Sequence, residues 1–311
     1  MSDPAVLDEV ARLLGGLAQR DVPLGPLTTY RVGGPASVFV EVADEEGLAH
    51  LVSAVVATGV DVLAVGKGSN LLVADAGFTG VAAVLGDAFA EISVDGTTVR
   101  AGAAAAMPVV ARRTVGAGLT GFEWAVGVPG SIGGGVRMNA GGHGSDMASV
   151  LRRVRLVDLR SGEDGSVPAS SLDLGYRRSA VAPHHLVVSA ELALATGDPE
   201  AGAATLAEIV AWRREHQPGG PNAGSVFANP DEDAAARLIE QVGAKGLRHG
   251  TATVSTKHAN FIQADEGGRA ADVVALMAEV QALVRTHAGV ELRPEKRLVG
   301  FAADPRREVE G

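Results

Sequence analysis

The sequence predicts a two-domain α/β chain, for three reasons. Its 311 residues exceed the ~150 of a typical single domain. A strand–helix–strand pattern occupies residues 38–86, the signature of a βαβ unit. Beyond Gly197-Asp198-Pro199 helical patterns dominate. With 46% hydrophobic residues, the chain can bury a core.

Residues 38–43 (VFVEVA) read as a strand. From Asp44 the period changes: Leu48, Leu51, Val52, Val55 and Val56 share one helical face, with Asp44 as N-cap and Gly59 as the stop. Residues 60–66 and 80–86 are short apolar strands. After Gly86 the texture becomes β-rich, with a hairpin turned at Asp95-Gly96. A helix begins near Met107-Pro108 and ends at Gly116 to Gly118. Residues 154–159 and 185–194 read as strands around a loop at 161–165. Beyond the boundary come helices over 204–215, 231–242 (Leu238, Ile239 and Val242 inward) and 270–287 (Val273, Val274, Met277, Val280 and Val284 inward). HANFIQ (258–263), GVEL (289–292) and RLVGF (297–301) read as strands. The charged last eight residues form the one candidate disordered tail.

The chain carries 27 Lys+Arg against 37 Asp+Glu, a net charge of −10. That disfavours a general nucleic-acid binder, which needs a basic face. Cysteine is absent, excluding disulfides, thiolate metal sites and cysteinyl cofactor links. The eight histidines show no HExxH or other metal spacing, so no metal is expected. No uncharged apolar run reaches the ~18 residues of a membrane span. The first 20 residues hold Asp3, Asp8 and Glu9 and no signal core. The expectation is a cytoplasmic monomer with neither membrane nor nucleic acid as partner. Glycine, with 41 residues, is about twice its usual ~7% share. Tight turns around a ligand or, equally, GC-rich codon usage would account for this.

Five motifs are candidates for chemistry. GKGSN (Gly66 to Asn70) follows a strand, where consecutive N–H groups can cradle an anion. It fits neither the Walker nor the Rossmann pattern, and an ordinary strand-end turn explains it equally. Trp124 to Gly144 is the most glycine-dense stretch, and Pro129 to Gly134 can offer several N–H donors to a pyrophosphate. In GYRRS (175–179), Arg177 can hold a carboxylate in two-point fashion or be a surface charge. In PNAGSVFANP (221–230), Ser225 follows Gly224 without forming a hydrolase elbow. In ELRPEKRLVG (291–300), Glu295 follows a proline.

Taken in order, TTYRVGGPA, GKGSNLLV, GVPGSIGGGVRMNAG, GYRRS, NAGSVFANP, STKHANF and RPEKRLVG resemble the UDP-N-acetylenolpyruvoylglucosamine reductase family from about Thr28 to Gly300. The resemblance implies an α+β fold. Residues 1–198 would form an FAD-binding domain of the vanillyl-alcohol-oxidase type, in two α/β subdomains split near 86. Residues 199–311 would form a C-terminal α+β substrate domain whose segment 290–301 returns toward the flavin. It further implies non-covalent FAD, NADPH as co-substrate and a UDP-sugar enolpyruvyl ether as substrate. The cofactor residues carried over are Gly66, Lys67, Gly68, Ser69, Asn70, Leu71, Pro129, Gly130, Ser131, Ile132, Gly133, Asn139, Ala140 and Gly141. The catalytic residues are Arg177, Ser225 as proton donor, and Glu295, which if protonated would donate a hydrogen bond. Asn229, Lys257 and His258 occupy places where the family contacts substrate. Two departures stand out. The chain runs from GYRRS through AVAPHH straight into a strand, as in the short-loop type, leaving no counterpart of the long-loop type's covering tyrosine. Lys296 stands where an apolar residue is commoner.

Overall fold

The computed structural model describes residues 2–231 and 233–301; the charged tail expected to be disordered lies outside them. Helices and strands are mixed throughout. The chain divides into two compact units. The first holds Met1–Arg20, Val38–Lys67 and Gly80–Arg213; the second holds Asp21–Ser37, Gly68–Thr79 and Arg214–Gly311.

Two sheets carry the core of the first unit. One is ordered Ala18–Pro23, Pro35–Val42, Phe78–Leu85, Val62–Ala64. The other is antiparallel, ordered Asp164–Pro168, Leu151–Asp158, His185–Ala193, Thr98–Gly102, Ile92–Asp95. Between the first sheet's strands runs the helix Glu45–Thr58. It starts because the Asp44 carboxylate accepts the Gly47 N–H (2.9 Å), and it stops where Gly59 turns to φ +65°. Leu48, Leu51 and Val55 are buried as the periodicity predicts, whereas Val56 is exposed. The hairpin at Asp95-Gly96 and the helix Met107–Gly116 also form as expected.

The second unit pairs Arg297–Val299 in parallel with Leu71–Val73. A three-stranded antiparallel sheet, Arg248–His249, Ala252–Val254 and Ile262–Ala264, shares a core with the helix Ala270–Ala288. Val273, Met277, Val280 and Val284 are buried there, and Val274 is partly so.

Several expectations need correction. The units do not divide at residue 198. Asp198 accepts the Glu200 N–H (2.8 Å) at the start of the helix Pro199–His216, and Ile209 on that helix sits in the first unit's core. The Gly-Asp-Pro turn thus marks a helix start. Residues 161–165 form a hairpin whose return strand, Asp164–Pro168, is too polar to show an apolar alternation. The helix expected from Asp231 begins at Ala235, whose N–H is taken by Asn229 Oδ1 (3.1 Å). HANFIQ becomes strand only at Ile262, because His258 Nδ1 accepts the Asn260 N–H (3.2 Å) and turns the chain. GVEL is not a strand. Its Leu292 carbonyl is held by the Gln281 side chain (2.8 Å) instead of a ladder partner. The helix Pro4–Leu14, not assigned above, had its signals in the Asp3 cap, the Pro4 start and the helical spacing of the buried Leu7, Val10 and Leu14.

Candidate functional site

The first unit contains an open cavity. Much of its wall is short, with Ala64, Ala83, Ala103, Ala104, Gly66, Gly133 and Gly134, and valines and leucines complete the apolar lining. Strand Val62–Ala64 pairs in parallel with Phe78–Leu85, and the Val65 N–H closes on the Ala83 carbonyl (2.8 Å), so the chain leaves the sheet at Gly66. A Cβ on Gly66 would overlap the Ser131 hydroxyl, which accepts the Gly134 N–H (3.4 Å). Lys67, Arg137 and His185 supply the basic groups of the lining. Arg137 is held by two bonds: its Nη1 donates to the Ala182 carbonyl (2.8 Å), and its own carbonyl accepts the Ser179 hydroxyl (2.6 Å). Alanine and glycine walls admit close approach of an extended or planar group, and cations on them match a diphosphate. The donor set fits FAD.

The carried-over cofactor residues do not all face that cavity. Gly66, Lys67, Ser131 and Gly133 line it. The N–H groups of Gly130, Ile132 and Gly133 donate to the carbonyls of Val128, Ala105 and Ala103 (2.8–2.9 Å), so the glycine run does not offer them as an anion nest. Pro129 is exposed, and Ala140 and Gly141 are half-buried. Asn139 is 2% exposed, and its amide is fully engaged: Nδ2 donates to Asp146 (3.0 Å) and Gly175 O (2.9 Å), and Oδ1 accepts the Ala148 N–H (2.8 Å). It shapes the loop around the Gly141–Gly142 strand.

Gly68, Ser69, Asn70 and Leu71 belong to the second unit. Gly68 has φ +60°, and a Cβ there would overlap the Leu27 carbonyl. Gly68→Ala is expected to lose about 2–4 kcal/mol of stability, combining backbone strain with overpacking, as read by denaturant unfolding.

Arg177 lies in the first unit, at the tip of a tight turn closed by Gly175 and Arg178, whose N–H groups each donate to the other's carbonyl (3.1 Å). Its φ is +57°, a conformation unfavourable for any residue with a Cβ. The guanidinium donates to Gly141 O (3.0 Å) and lies 5.1 Å from the Tyr176 ring centroid. Neighbouring Arg178 instead pairs with Asp173 at the surface (3.5 Å).

The segments that carry Ser225 and Glu295 pair in the second unit. The Glu295 N–H donates to Val226 O (2.8 Å), and the Ala228 N–H donates to Arg293 O (2.9 Å), so the serine segment runs antiparallel to the glutamate segment. Asn260 fixes the serine side. Its carbonyls accept from the Val226 and Phe227 N–H groups, and its Nδ2 donates to Phe227 O (2.8 Å). Asn229 is exposed and spends its side-chain carbonyl on the Ala235 N–H. Lys257 is exposed, and its ammonium donates to Arg214 O (2.6 Å). His258 packs edge-on against Phe261 at 4.7 Å. Burial first, then the charge of Lys245, pushes its imidazole below the ordinary histidine range, which keeps it neutral at pH 7.

Among the described residues, Asp158, His184 and His185 group ligand-type atoms within 4.8 Å. His185 Nδ1 accepts the Ala182 N–H (3.1 Å), which places the ring proton on Nε2, the atom facing Asp158 at 3.7 Å.

Three participants went unassigned in the sequence. Arg137 had a signal, as the first cation after the glycine run. His185 had a weaker one, the paired histidines ahead of a strand. Asn260 lay inside a quoted motif, but its role depends on a long-range pairing that spacing does not reveal.

Residues 36–164 match the profile of an FAD binding domain. Residues 215–299 match that of the UDP-N-acetylenolpyruvoylglucosamine reductase C-terminal domain. The chain is 41% identical over 308 residues to UDP-N-acetylenolpyruvoylglucosamine reductase of Heliobacterium modesticaldum, covering 98% of this chain and 97% of that one. It is 42% identical to the enzyme of the same name from Acidiphilium cryptum, covering 97% and 98%. The crystal structure of UDP-N-acetylenolpyruvylglucosamine reductase from Thermus caldophilus superimposes with a TM-score of 0.80 at 33% identity, covering 91% of this chain and 98% of that one. The α+β architecture, a flavin-binding domain of the vanillyl-alcohol-oxidase type plus a C-terminal domain, is the one expected. The chain belongs to the UDP-N-acetylenolpyruvoylglucosamine reductase family.

Proposed function

We propose that this chain reduces UDP-N-acetylenolpyruvoylglucosamine to UDP-N-acetylmuramate with NADPH, through non-covalent FAD, as a step of peptidoglycan precursor synthesis. It acts as a cytoplasmic monomer on small molecules, with neither nucleic acid nor membrane as partner. The first unit serves the cofactor and the second the substrate. The observation that carries this reading is the fixed pairing of the Ser225 and Glu295 segments, with the Glu295 N–H on Val226 O at 2.8 Å. A binding module has no need to hold a segment bearing a hydroxyl acid against one bearing a carboxyl group.

The substrate is an enol ether conjugated to a carboxylate. FAD, which Gly66, Lys67, Ser131 and Gly133 of the cavity wall would hold, would supply the hydride-transfer chemistry between NADPH and the terminal vinyl carbon. Charge then collects on the adjacent carbon and the carboxylate, an enolate that is unstable without fixed donors. Arg177, held by its turn and by Gly141 O, offers a charge-assisted pair to those oxygens. Glu295, in its acid form, donates a further hydrogen bond. Ser225 gives its hydroxyl proton to the carbon next to the carboxylate. Lys67 and Arg137 on the cavity wall attract the diphosphates that cofactor and co-substrate carry.

The purified protein is expected to be yellow, to bleach on anaerobic addition of NADPH, and to regain colour when the enolpyruvyl substrate is added. Colour that returns only when oxygen is admitted would mark an oxidase and overturn the reading.

A further inference from the structure

Lys296 carries a charge that none of these roles uses. It follows Glu295 directly and is 2% exposed. Removing an ammonium from water is costly unless hydrogen bonds replace hydration. Its Nζ donates to Asn70 Oδ1 at 2.8 Å and to the Ala223 carbonyl. A Cβ on Gly224 would lie 3.8 Å from that nitrogen. The partners are telling. Asn70 also donates through Nδ2 to Glu295 O (3.1 Å) and accepts the Arg297 N–H on its own carbonyl (2.9 Å). Ala223 begins the turn Ala223–Gly224–Ser225, in which Gly224 has φ +82°. One ammonium therefore ties the turn that presents Ser225 to the segment that presents Glu295. A methionine would fill similar space without the desolvation penalty, so packing alone does not account for a lysine at this position.

We propose that Lys296 is a positioning residue for proton delivery. It clamps the Ser225 turn against the Glu295 segment and sets a fixed positive charge beside the serine. In the step concerned, the Ser225 O–H bond breaks as a C–H bond forms at the carbon next to the substrate carboxylate. The electron pair stays on the serine oxygen, the Lys296 charge stabilises that alkoxide, and water returns the proton. This inference rests on the reading of Ser225 as the acid.

The test uses the FAD-loaded full chain, reduced with NADPH and mixed anaerobically with substrate in H2O and in D2O. Lys296→Met is expected to retain FAD and to be reduced at the wild-type rate. Its reoxidation at saturating substrate should fall about 10²-fold, as for a misplaced reacting group, with the half-saturating substrate concentration little changed. Its solvent isotope effect should exceed that of wild type, because proton transfer has become the slow step. Lys296→Arg should recover most of the rate. Reoxidation of Lys296→Met near the wild-type rate overturns the proposal. So does a slow rate with an unchanged isotope effect that arginine fails to restore, which is the pattern of lost packing. Ser225→Ala, run alongside, separates the two layers. Should it reoxidise normally, serine is not the acid and the Lys296 proposal falls with it. Should it stall while Lys296→Met turns over normally, only the Lys296 proposal falls. If Lys296→Met does not accumulate as folded protein, Lys296→Gln keeps a donor without the charge and is read in the same way.

Discussion

Ser225→Ala is expected to bind FAD, to be bleached by NADPH at the wild-type rate, and then to remain reduced in the presence of substrate. Loss of a positioned acid removes about 10²–10⁴ from the rate of its step, so reoxidation should slow by that factor while the first half-reaction is untouched. The fold should not suffer. The serine segment is held through the Val226 and Phe227 backbone by Asn260, and through Val226 O by Glu295, none of which involves the Ser225 hydroxyl. Stability should stay within about 0.5 kcal/mol of wild type. Stopped-flow absorbance of the two half-reactions, with a urea titration beside it, checks both statements. Equal slowing of both half-reactions would mean the variant has disturbed cofactor binding instead.

Arg177→Gly also separates stability from activity. The residue has φ +57°, where a Cβ costs about 1 kcal/mol relative to glycine. Glycine relieves that strain and gives up the bond from Nη2 to Gly141 O, itself about 1 kcal/mol. The contact with the Tyr176 ring is lost as well, so the melting temperature should fall, but by less than it does for Arg177→Ala. Arg177→Ala loses the same bond without relieving the strain and should be the less stable of the two. Both variants lack the donor proposed for the enolate oxygens, and both should lose about 10²–10³ in substrate-driven reoxidation. A left-handed arginine kept at the tip of a turn, where glycine would sit more easily, is what a functional constraint looks like in backbone terms.

The capping logic of the sequence was strong where one residue decides the outcome. Asp44 and Gly59 bound their helix, Asp95-Gly96 turned its hairpin, and Gly289 closed the last long helix at φ +68°. It was weak where the partner is remote. Nothing local announces that Asp164–Pro168 pairs with Leu151–Asp158, or that residues 21–37 and 68–79 join the C-terminal unit. The site shows the same divide. Ser225 and Glu295 were named through motif order, yet their juxtaposition comes from a pairing across some seventy residues that only the fold supplies. Asn139 was named through the resemblance as a cofactor residue; that its side-chain amide braces its own loop depends on partners the sequence does not reveal. Lys296 departed from the family pattern, in which an apolar residue is commoner at its position. Oxygens of Asn70 and Ala223, from two other segments, receive it.

The most direct measurement is an anaerobic single turnover. Protein freed of excess NADPH after reduction is mixed with one equivalent of UDP-N-acetylenolpyruvoylglucosamine, while flavin absorbance and the nucleotide product are followed together. The account predicts complete reoxidation, one UDP-N-acetylmuramate per FAD, and all of the flavin recovered in the supernatant after acid precipitation. Reduced flavin that persists beside unchanged substrate would contradict it, as would flavin that stays with the precipitated chain.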